Sequence, residues 1–398
     1  MANIVGTSAS QKLNGTAGSD LIRPNGGNDT IDGLGGIDTV SFSDTYYGQT
    51  LRGIAIDLGV NRAEYVNPSG TMEIINLANI ENAIGSSSND YLFGDAGTNR
   101  LEGADGNDVL DGRVGNDSLF GGNGDDVLIS GQGSNLLNGG VGNDTIAYNG
   151  LRIAGSSEAR VIADLTAGKA WTDTGTDTLV SIENVIGSSS NDWIKGNAIN
   201  NQIRGNEGDD TLLGEGGNDT LIGDSGNDGL YGGDGSDTIS GMDGIDWIQA
   251  GGGDDIIYES TSTTGEWSAV HAEGGDDTIY ITGVGATGVW GEDGDDVIAL
   301  QGSGVVYAYG GSGADIYRVT DPALTTAGSL VQVFDFKIGE DKVQSKVANP
   351  GNTDLRLLDW GANTGIEITN KTTGAHATVM LMGIHSSDLD ISRDFLLT

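Results

Sequence analysis

Residues 214–240 contain one nine-residue pattern three times in succession: GEGGNDTLI, GDSGNDGLY and GGDGSDTIS. In each copy the fourth residue is Gly, the sixth is Asp and the eighth is a large aliphatic residue. A fixed period of this kind indicates a repeat architecture, in which each copy is one structural unit stacked on its neighbours. The fold must therefore explain why one aspartate returns in every copy.

The repeat extends well beyond this stretch, in a long run over 187–258, a second over 85–147 and a short one near the N-terminus. Aspartate occupies position six of these copies, and continues beyond them, at Asp20, Asp29, Asp38, Asp90, Asp108, Asp117, Asp126, Asp144, Asp192, Asp210, Asp219, Asp228, Asp237, Asp246, Asp255, Asp277, Asp296 and Asp315. Asn99, Asn135 and Asn201 replace it in three copies. We treat the eighteen aspartates as candidate metal ligands.

Each repeat predicts a short strand followed by a tight turn. Position eight is Ile, Leu or Val in almost every copy, so one side chain per strand points inward. Gly at positions one, two and four permits positive φ and close backbone approach, so two successive repeats form one flattened coil of two strands and two turns. Carboxylates stacked along each edge would repel one another unless a cation lay between them. Carboxylate and carbonyl oxygens are the ligands that calcium prefers.

These copies resemble the GGxGxDxUx nonapeptide of RTX proteins, whose parallel β-roll carries calcium in its turns. The resemblance implies an all-β fold, a parallel β-roll or β-helix solenoid with calcium-binding Gly/Asp turns and a C-terminal β cap. It also implies that an Asp and backbone carbonyls of one turn share a calcium ion with the turn one coil away. The aspartates paired in this way would be Asp192 with Asp210, Asp210 with Asp228, Asp219 with Asp237, and Asp108 with Asp126. The three Asn copies lose a charge, so they predict weak sites or none.

The period changes after Asp255. Asp277, Asp296 and Asp315 follow at longer steps, each close to one coil. The opposite turns in this region are apolar and rich in Gly, as in GVGATGVW. This pattern predicts that the roll continues with metal along one edge only, and plain hairpins are the alternative.

Two spacers interrupt the arrays and match each other, since NIENAIGSSSND at 79–90 is repeated as SIENVIGSSSND at 181–192. We expect them to be wider, metal-free coils, because no Pro-rich or charged linker marks a domain boundary. The predicted organisation is N-terminal RTX coils plus metal-free spacer coils (1–84), a first array (85–147), a second spacer (148–186), a second array (187–258), wider coils with one metal edge (259–319), and a C-terminal cap with a secretion signal (320–398).

The composition limits the partners of the chain. Its 58 acidic and 18 basic residues give a formal charge of −40, which disfavours binding to nucleic acid or anionic lipid. High charge with low hydrophobicity predicts that the metal-free chain is unfolded, and that calcium binding and folding are one event. Extracellular calcium modules work at about 10⁻⁴ to 10⁻³ M, so the chain is expected to fold outside the cell.

The two termini indicate how the chain would reach the exterior. The N-terminal MANIVGTSASQKLNG lacks the basic and apolar regions of a signal peptide, and no segment is long enough to span a membrane. VFDFKIGEDKV at 333–343 and the ending Asp394, Phe395, Leu396 and Leu397 resemble the C-terminal region of type I secretion substrates. A closing strand that caps the solenoid is a second interpretation of this ending, and the two are compatible.

No catalytic site is predicted. GDSG at 223–226 falls in frame as a repeat turn, so Ser225 is interpreted as a solvated turn residue. His271, His376 and His385 lie in no recognisable triad or zinc motif. RTX enzymes carry the array behind a catalytic domain, for which this chain has no room, so we expect a protein that is not an enzyme.

Position seven is predicted to face outward, and it holds Tyr91, Trp193 and Trp247 in three copies. The two Trp residues are three coils apart and should lie on one edge, as contacts to another copy, to sugar, or to their own strand neighbours. We expect a secreted surface-layer or biofilm-matrix protein that self-assembles, anchored by cell-surface glycan or lipopolysaccharide. The alternatives are an adhesin or carbohydrate-binding module that uses the aromatic edge or the loop 260–271, and a soluble accessory factor. Ice binding is disfavoured, because positions three and five vary too much.

Overall fold

The computed structural model describes residues 1–43, 52–149, 160–261, 265, 267–320, 329–346, 353–372 and 374–397. The chain forms two compact units, Met1–Ser190 and Asn191–Thr398. Each unit is an all-β solenoid of short strands, as the repeat pattern predicts. Among the described residues, helix is limited to a 3-10 turn at Ser386–Asp388 and to α1 (Ile391–Asp394).

The described part of the first unit is built from short strands. They are β1 (Asn3–Val5), β2 (Lys12–Asn14), β3 (Leu21–Arg23), β4 (Thr30–Asp32), β5 (Thr39–Ser41), β6 (Ile54–Asp57), β7 (Arg62–Val66), β8 (Met72–Ala78), β9 (Asn82–Ile84), β10 (Tyr91–Phe93), β11 (Arg100–Asp105), β12 (Val109–Asp111), β13 (Ser118–Asn123), β14 (Val127–Ile129), β15 (Leu136–Val141), β16 (Thr145–Ala147), β17 (Val161–Asp164), β18 (Lys169–Thr172), β19 (Gly175–Val180) and β20 (Asn184–Ile186). Alternate strands of the arrays build two sheets, so a strand there pairs with the strand two further along the chain.

Pairing within the arrays is parallel, and each residue lies opposite the one two repeats further along the chain. Leu92 lies opposite Leu110, and Leu110 opposite Leu128. These side chains form columns that are fully buried between the two sheets. Because burial of one Leu or Ile contributes about 1.5–3 kcal/mol, the columns supply the apolar core that the Gly-rich turns cannot.

The two spacers differ from the wider coils that we expected. β6, β7 and β8 pair in antiparallel fashion, and so do β17, β18 and β19. The ends of each spacer rejoin the solenoid, since β8 pairs in parallel with β4 and β19 with β15. Each spacer thus adds antiparallel strands, and the parallel pairing of the solenoid continues across it. Parts of both spacer regions, residues 44–51 and 150–159, lie outside the described residues.

The second unit contains the remaining strands. They are β21 (Trp193–Lys195), β22 (Gln202–Glu207), β23 (Thr211–Gly216), β24 (Thr220–Ser225), β25 (Gly229–Asp234), β26 (Thr238–Asp243), β27 (Trp247–Gly252), β28 (Ile256–Ser260), β29 (Trp267–Gly274), β30 (Thr278–Ile281), β31 (Ala286–Asp293), β32 (Val297–Leu300), β33 (Val305–Ser312), β34 (Ile316–Thr320), β35 (Ser329–Val333), β36 (Lys342–Lys346), β37 (Thr353–Asp359), β38 (Thr364–Asn370), β39 (His376–Leu381) and β40 (Phe395–Leu397).

The coil continues through 259–319, since β29, β31 and β33 pair in parallel on one side and β30, β32 and β34 on the other. The hairpin alternative is therefore wrong. The last strands close the coil: β37, β38 and β39 form an antiparallel meander, and β39 pairs in parallel with β35. The chain ending is a closing strand, because Val343 of β36 lies opposite Phe395 of β40.

Candidate metal centre

All eighteen predicted aspartates are buried at the turns, each 0–3% exposed. Their side chains form rows in which one carboxylate oxygen accepts a backbone N–H from the turn one coil earlier. The Oδ1 atom of Asp108 accepts the backbone N–H of Asp90 at 2.7 Å, and Asp126 Oδ1 accepts that of Asp108 at 2.8 Å. In the second unit Asp237 Oδ1 accepts from Asp219 N at 2.7 Å. The structure therefore brings together the predicted pairs one coil apart.

The other carboxylate oxygen has no partner in most of these turns. The Oδ2 atom is buried without a hydrogen bond in Asp29, Asp38, Asp108, Asp117, Asp126, Asp144, Asp210, Asp219, Asp228, Asp237, Asp255, Asp277, Asp296 and Asp315. A buried, unpaired charged oxygen costs several kcal/mol at each position. Repetition of this cost at one fixed position of the repeat indicates that the position is built to receive a cation.

The unpartnered oxygens face a small space that we call the cradle. Around Asp108 it is bounded by Asp108 Oδ2, the backbone of Gly103 and the carbonyl oxygen of Gly121. A Cβ built on Gly103 would collide with the carboxylate and lie 2.6 Å from the Gly121 oxygen. The same arrangement recurs at Gly223, between Asp228 Oδ2 and the carbonyl of Gly241. A carboxylate and a carbonyl that converge on one space are a donor set for calcium.

Glycine therefore has two roles in the repeat. At position one, as in Gly103, it leaves the space of the cradle, and its φ is not positive. At position four it adopts positive φ; Gly124 has φ 130° and packs on the carbonyl of Gly106. Position two also has positive φ but tolerates other residues, such as Arg113 at 65° and Asp224 at 75°, so glycine is not required there.

The electrostatics of the turns also favour a bound cation. Burial and, to a smaller extent, the charges of Asp90 and Asp126 raise the pKa of Asp108 to about 7. Burial likewise raises the pKa of Asp210 and of Asp277 to about 8, again with a contribution from neighbouring carboxylates. A calcium ion beside each carboxylate would reverse this effect by stabilising the charged form.

Asp20 and Asp90 differ from most aspartates of the rows. Asp20 accepts hydrogen bonds from Ala2 N and Thr16 N, and Asp90 accepts from Ile54 N and Ser86 N. Both oxygens of these carboxylates have partners, so Asp20 and Asp90 are satisfied by the protein alone. Asp192, which begins the second array, is buried but is not among the carboxylates with an unpartnered Oδ2.

The Asn copies show how a turn is satisfied without a metal. Asn99 Oδ1 accepts from Asp95 N at 2.8 Å, and its Nδ2 donates to the carbonyl oxygen of Glu81 at 2.7 Å. Asn135 Nδ2 donates to the carbonyl of Ser130 at 3.1 Å. An amide thus supplies N–H donors that a carboxylate lacks, which agrees with the weak or absent sites expected at these turns.

Several acidic residues of the rows were missed from the sequence. Glu81 and Glu183 accept the backbone N–H of Asp38 and Asp144, each at 2.8 Å, and so complete a row across a spacer. The signal was present, because the two Glu residues occupy the same place in NIENAIG and SIENVIG.

Asp177 and Asp341 are two further members of the rows. Asp177 accepts from Asn135 N at 2.8 Å and from Ser130 Oγ at 2.6 Å. Asp341 accepts from Asp315 N and Lys337 N. Both oxygens of each carboxylate have partners, so Asp177 and Asp341 are satisfied by the protein alone, as Asp20 and Asp90 are.

Trp193 and Trp247 occupy one column of a sheet in the second unit, as predicted, with Thr211 and Gly229 between them. Trp247 is 46% exposed, whereas Trp193 is half-buried. Tyr91, in the first unit, is also exposed.

Trp247 begins a ladder of rings that the sequence did not reveal. His271 stacks between Trp247 and Trp290, with ring centroids 5.0 and 4.5 Å away, and Tyr309 and Phe334 continue the series. Each interior ring is covered on both faces by its neighbours. The stack therefore braces successive turns of the coil.

The other residues considered in the sequence form no catalytic arrangement in the described part of the chain. Ser225 is exposed at a turn, and His271 pairs with Glu292 at 3.0 Å. Residues 262–264 and 266 of the loop 260–271 lie outside the described residues. Within the described ranges no three acidic, His or Cys side chains cluster, so backbone carbonyls would supply most ligands of each ion.

A family model for the RTX calcium-binding nonapeptide repeat matches residues 5–40, 84–119, 111–146, 195–230 and 231–258. The chain carries RTX repeats. RTX nonapeptide repeats bind calcium ions, and the cradles described above fit that ion. The matched segments contain the predicted aspartates up to Asp255 except Asp192, and they leave the turns at Asp277, Asp296 and Asp315 outside the matched range.

Other comparisons add little to the RTX assignment. The extracellular lipase LipA from Serratia marcescens is a solved structure similar to this chain, with 14% identity over 78% of this chain and 40% of the lipase, and a TM-score of 0.16. The chain thus spans well under two thirds of that lipase. No curated protein sequence matches significantly. No helix in the described ranges is long and apolar enough to cross a membrane.

Proposed function

We propose that this RTX chain is a secreted, non-enzymatic structural protein that folds and self-assembles in calcium outside the cell, as part of a surface layer or biofilm matrix. Calcium would act at two kinds of place. Ions in the cradles would close each coil, and ions between copies would bridge acidic surfaces that otherwise repel one another at a formal charge of −40.

The observation that carries this proposal is a row of exposed carboxylates beside the buried ones. Asp254, Asp276 and Asp295 are exposed, and each follows the last on successive turns of the second unit. The backbone N–H of Asp276 donates to Asp254 Oδ1 at 2.9 Å, and that of Asp295 donates to Asp276 Oδ1 at 2.9 Å. Neighbouring strands lie about 4.8 Å apart, so the row offers closely spaced oxygens on a rigid edge. Such an edge would attract calcium and a second acidic copy.

Electron microscopy and circular dichroism on the same samples test the proposal. The purified chain is dialysed from chelator into millimolar calcium, and ordered sheets or filaments are expected to appear together with the β signal. The variant Asp254→Asn/Asp276→Asn/Asp295→Asn should fold in calcium yet assemble poorly, because its cradles are intact and its edge is neutral.

A matched control neutralises three exposed acids that do not form a row, Glu207, Asp243 and Glu340. This variant changes the net charge by the same amount and is expected to assemble like the unaltered chain. Folded single molecules that never associate in calcium would overturn the proposal, and so would equal loss of assembly in both variants.

We also propose export by a type I system, since RTX-repeat proteins are typically secreted and the chain ending resembles such substrates. Phe395 of that ending is buried in the closing strand of the folded chain, so recognition would require the unfolded, calcium-free state. Deletion of residues 386–398 should abolish export from a host that carries a type I system. Normal export of the deletion would contradict the proposal.

A second candidate function, glycan binding, is favoured by the free end of the aromatic ladder. Trp247 has a ring neighbour in His271 on one side, while the preceding turn of its column holds Gly229, which has no side chain. The Tyr231 ring lies beside Gly229, and Trp247 is 46% exposed, so the exposed part of its indole would be available for a sugar. Trp247→Ala and Trp193→Ala should abolish glycan-array binding with assembly intact if this function is correct. Loss of assembly without any glycan signal would instead support the structural function.

A further inference from the structure

The repeat is interrupted where β26 meets β28 in the second unit. Tyr258 lies opposite Ser240 and Ser260 opposite Asp243, so the single residue Glu259 faces two residues of the neighbouring strand. This arrangement is a β-bulge whose extra residue lies in β26. Glu259 points inward with Ile257, as the alternation of β28 requires. Glu259 lies just beyond the last segment that the RTX family model matches, which ends at residue 258.

The cradle of Asp246 differs from the regular cradles in one ligand. In the cradle of Asp228, the third boundary is the backbone carbonyl oxygen of Gly241. Glu259 follows Asp246 at the same sequence spacing at which Gly241 follows Asp228. A Cβ built on Gly241 would collide with Asp246 Oδ2 and with Glu259 Oε2. A carboxylate oxygen of Glu259 therefore takes the place that a carbonyl oxygen holds elsewhere.

Glu259 is almost completely buried, with 1% exposure, and its carboxylate lies beside the Ser268 hydroxyl and the Asp246 carboxylate. Neither carboxylate oxygen of Glu259 has a hydrogen bond of ordinary geometry. Its own carbonyl oxygen is occupied, because it accepts the backbone N–H of Thr282 at 2.9 Å. Burial, and next the charge of Asp246, raise the pKa of Glu259. A buried carboxylate of this kind needs a cation or a proton.

The next turn explains why a second carboxylate is needed here. In regular turns the N–H of one Asp is held by the Asp of the following coil, as Asp228 N is held by Asp246 Oδ1 at 2.9 Å. The N–H of Asp246 donates instead to Ser268 Oγ at 3.1 Å. Ser268 satisfies the hydrogen bond but brings no charge. Glu259 supplies a second carboxylate to the cradle of Asp246.

We propose that Glu259 and Asp246 together bind one calcium ion, so that the predicted site of Asp246 has a side-chain ligand that the repeat pattern does not predict. The Glu259 side chain replaces the backbone carbonyl of a regular cradle, and its charge compensates for the carboxylate that Ser268 does not supply to this turn. The site lies where the chain leaves its regular period, so the ion joins the regular array to the wider coils that follow. The inference depends on the calcium chemistry of the repeats and not on self-assembly.

Counting bound ions tests the site. The calcium content of the folded chain is measured by equilibrium dialysis followed by elemental analysis, with circular dichroism on the same samples. E259Q is expected to bind one ion fewer per chain, and D246N one fewer. The double variant should also lose only one ion, because both residues serve the same site. The exposed Glu207→Gln is the matched control and should bind as many ions as the unaltered chain.

A rescue variant keeps the test decisive if E259Q folds poorly. S268D added to E259Q places a carboxylate where a regular repeat has one, and is expected to restore both the β signal and the ion. The proposal is overturned if E259Q binds the full number of ions, which would show that Glu259 holds a proton. It is also overturned if the double variant loses two ions, or if S268D leaves E259Q one ion short.

Discussion

Removal of calcium should make the stability of this protein depend on pH in an unusual direction. The buried aspartates have an ordinary pKa of 3.8, and burial raises that of Asp126 to about 7, as it does for Asp228 and Asp296. Between these values the metal-free folded state binds more protons than the unfolded state. The free energy of unfolding therefore falls as pH rises from about 4 to about 7, and acid partly replaces calcium.

The magnitude follows from the size of the shift. Three pKa units correspond to about 4 kcal/mol for one carboxylate. Screening by water at the turn edges reduces this to about 1–2 kcal/mol. Because the shift recurs along the rows, a handful of such sites equals the whole stability of an ordinary domain, about 5–15 kcal/mol. The metal-free coil should therefore be unfolded at pH 8 and regain β structure near pH 5.

Far-ultraviolet circular dichroism and tryptophan fluorescence measure this effect in chelator between pH 5 and pH 8. The β signal is expected to grow as pH falls, and a parallel series in millimolar calcium should be flat. A metal-free chain with equal or greater β signal at pH 8 would refute the reasoning, since the buried carboxylates would then need neither a proton nor an ion.

Three substitutions give further predictions. Gly103→Ala fills the cradle of Asp108 and should remove one bound calcium ion, measured by elemental analysis. The neighbouring Ala104→Gly is the control and should remove none. Equal ion counts in the two variants would contradict the role of position one. Arg113→Ala removes the paired hydrogen bonds, both 2.8 Å, to Asp57, and should raise the pKa of that carboxyl, which Arg113 holds below its usual range; an unchanged titration by NMR would contradict this. Leu221→Ala leaves a cavity in a fully buried column and should cost about 2–5 kcal/mol in chemical unfolding with calcium present, against little change for the exposed Met242→Ala.

The regular turns could be predicted from the sequence because the repeat fixes both the inward Leu and the buried Asp. The period alone places Asp219 beside Asp237, and the structure confirms this arrangement. The role of glycine was only partly predictable. The sequence shows where glycine can adopt positive φ, because this is a local property. It does not show that the glycine at position one lies close to a carboxylate and a carbonyl from two different turns.

The spacers and the Glu residues of the rows could not be predicted, because their contacts depend on which segments meet in space. The sequence of the spacers predicts extra coils. Whether their strands pair in parallel or antiparallel fashion depends on where the chain rejoins the solenoid, and short apolar runs do not encode this. Glu81, Glu183 and Glu259 each act across a bulge or an insertion, outside the repeat frame. Their partners lie close in space but have no fixed spacing along the chain.

The hydrogen bonds of the aspartate rows all point one way along the chain. Most backbone N–H groups of the rows are held by a carboxylate from the coil that follows, as Asp277 N is held by Asp296 and Asp296 N by Asp315. Exceptions are Asp246 N, which Ser268 holds, and Asp117 N, which Asn135 holds. In the second unit this series ends at Asp341, whose two oxygens are satisfied by Asp315 and Lys337. Within the second unit the row is thus directional, and each of these turns depends for this hydrogen bond on the turn that follows it.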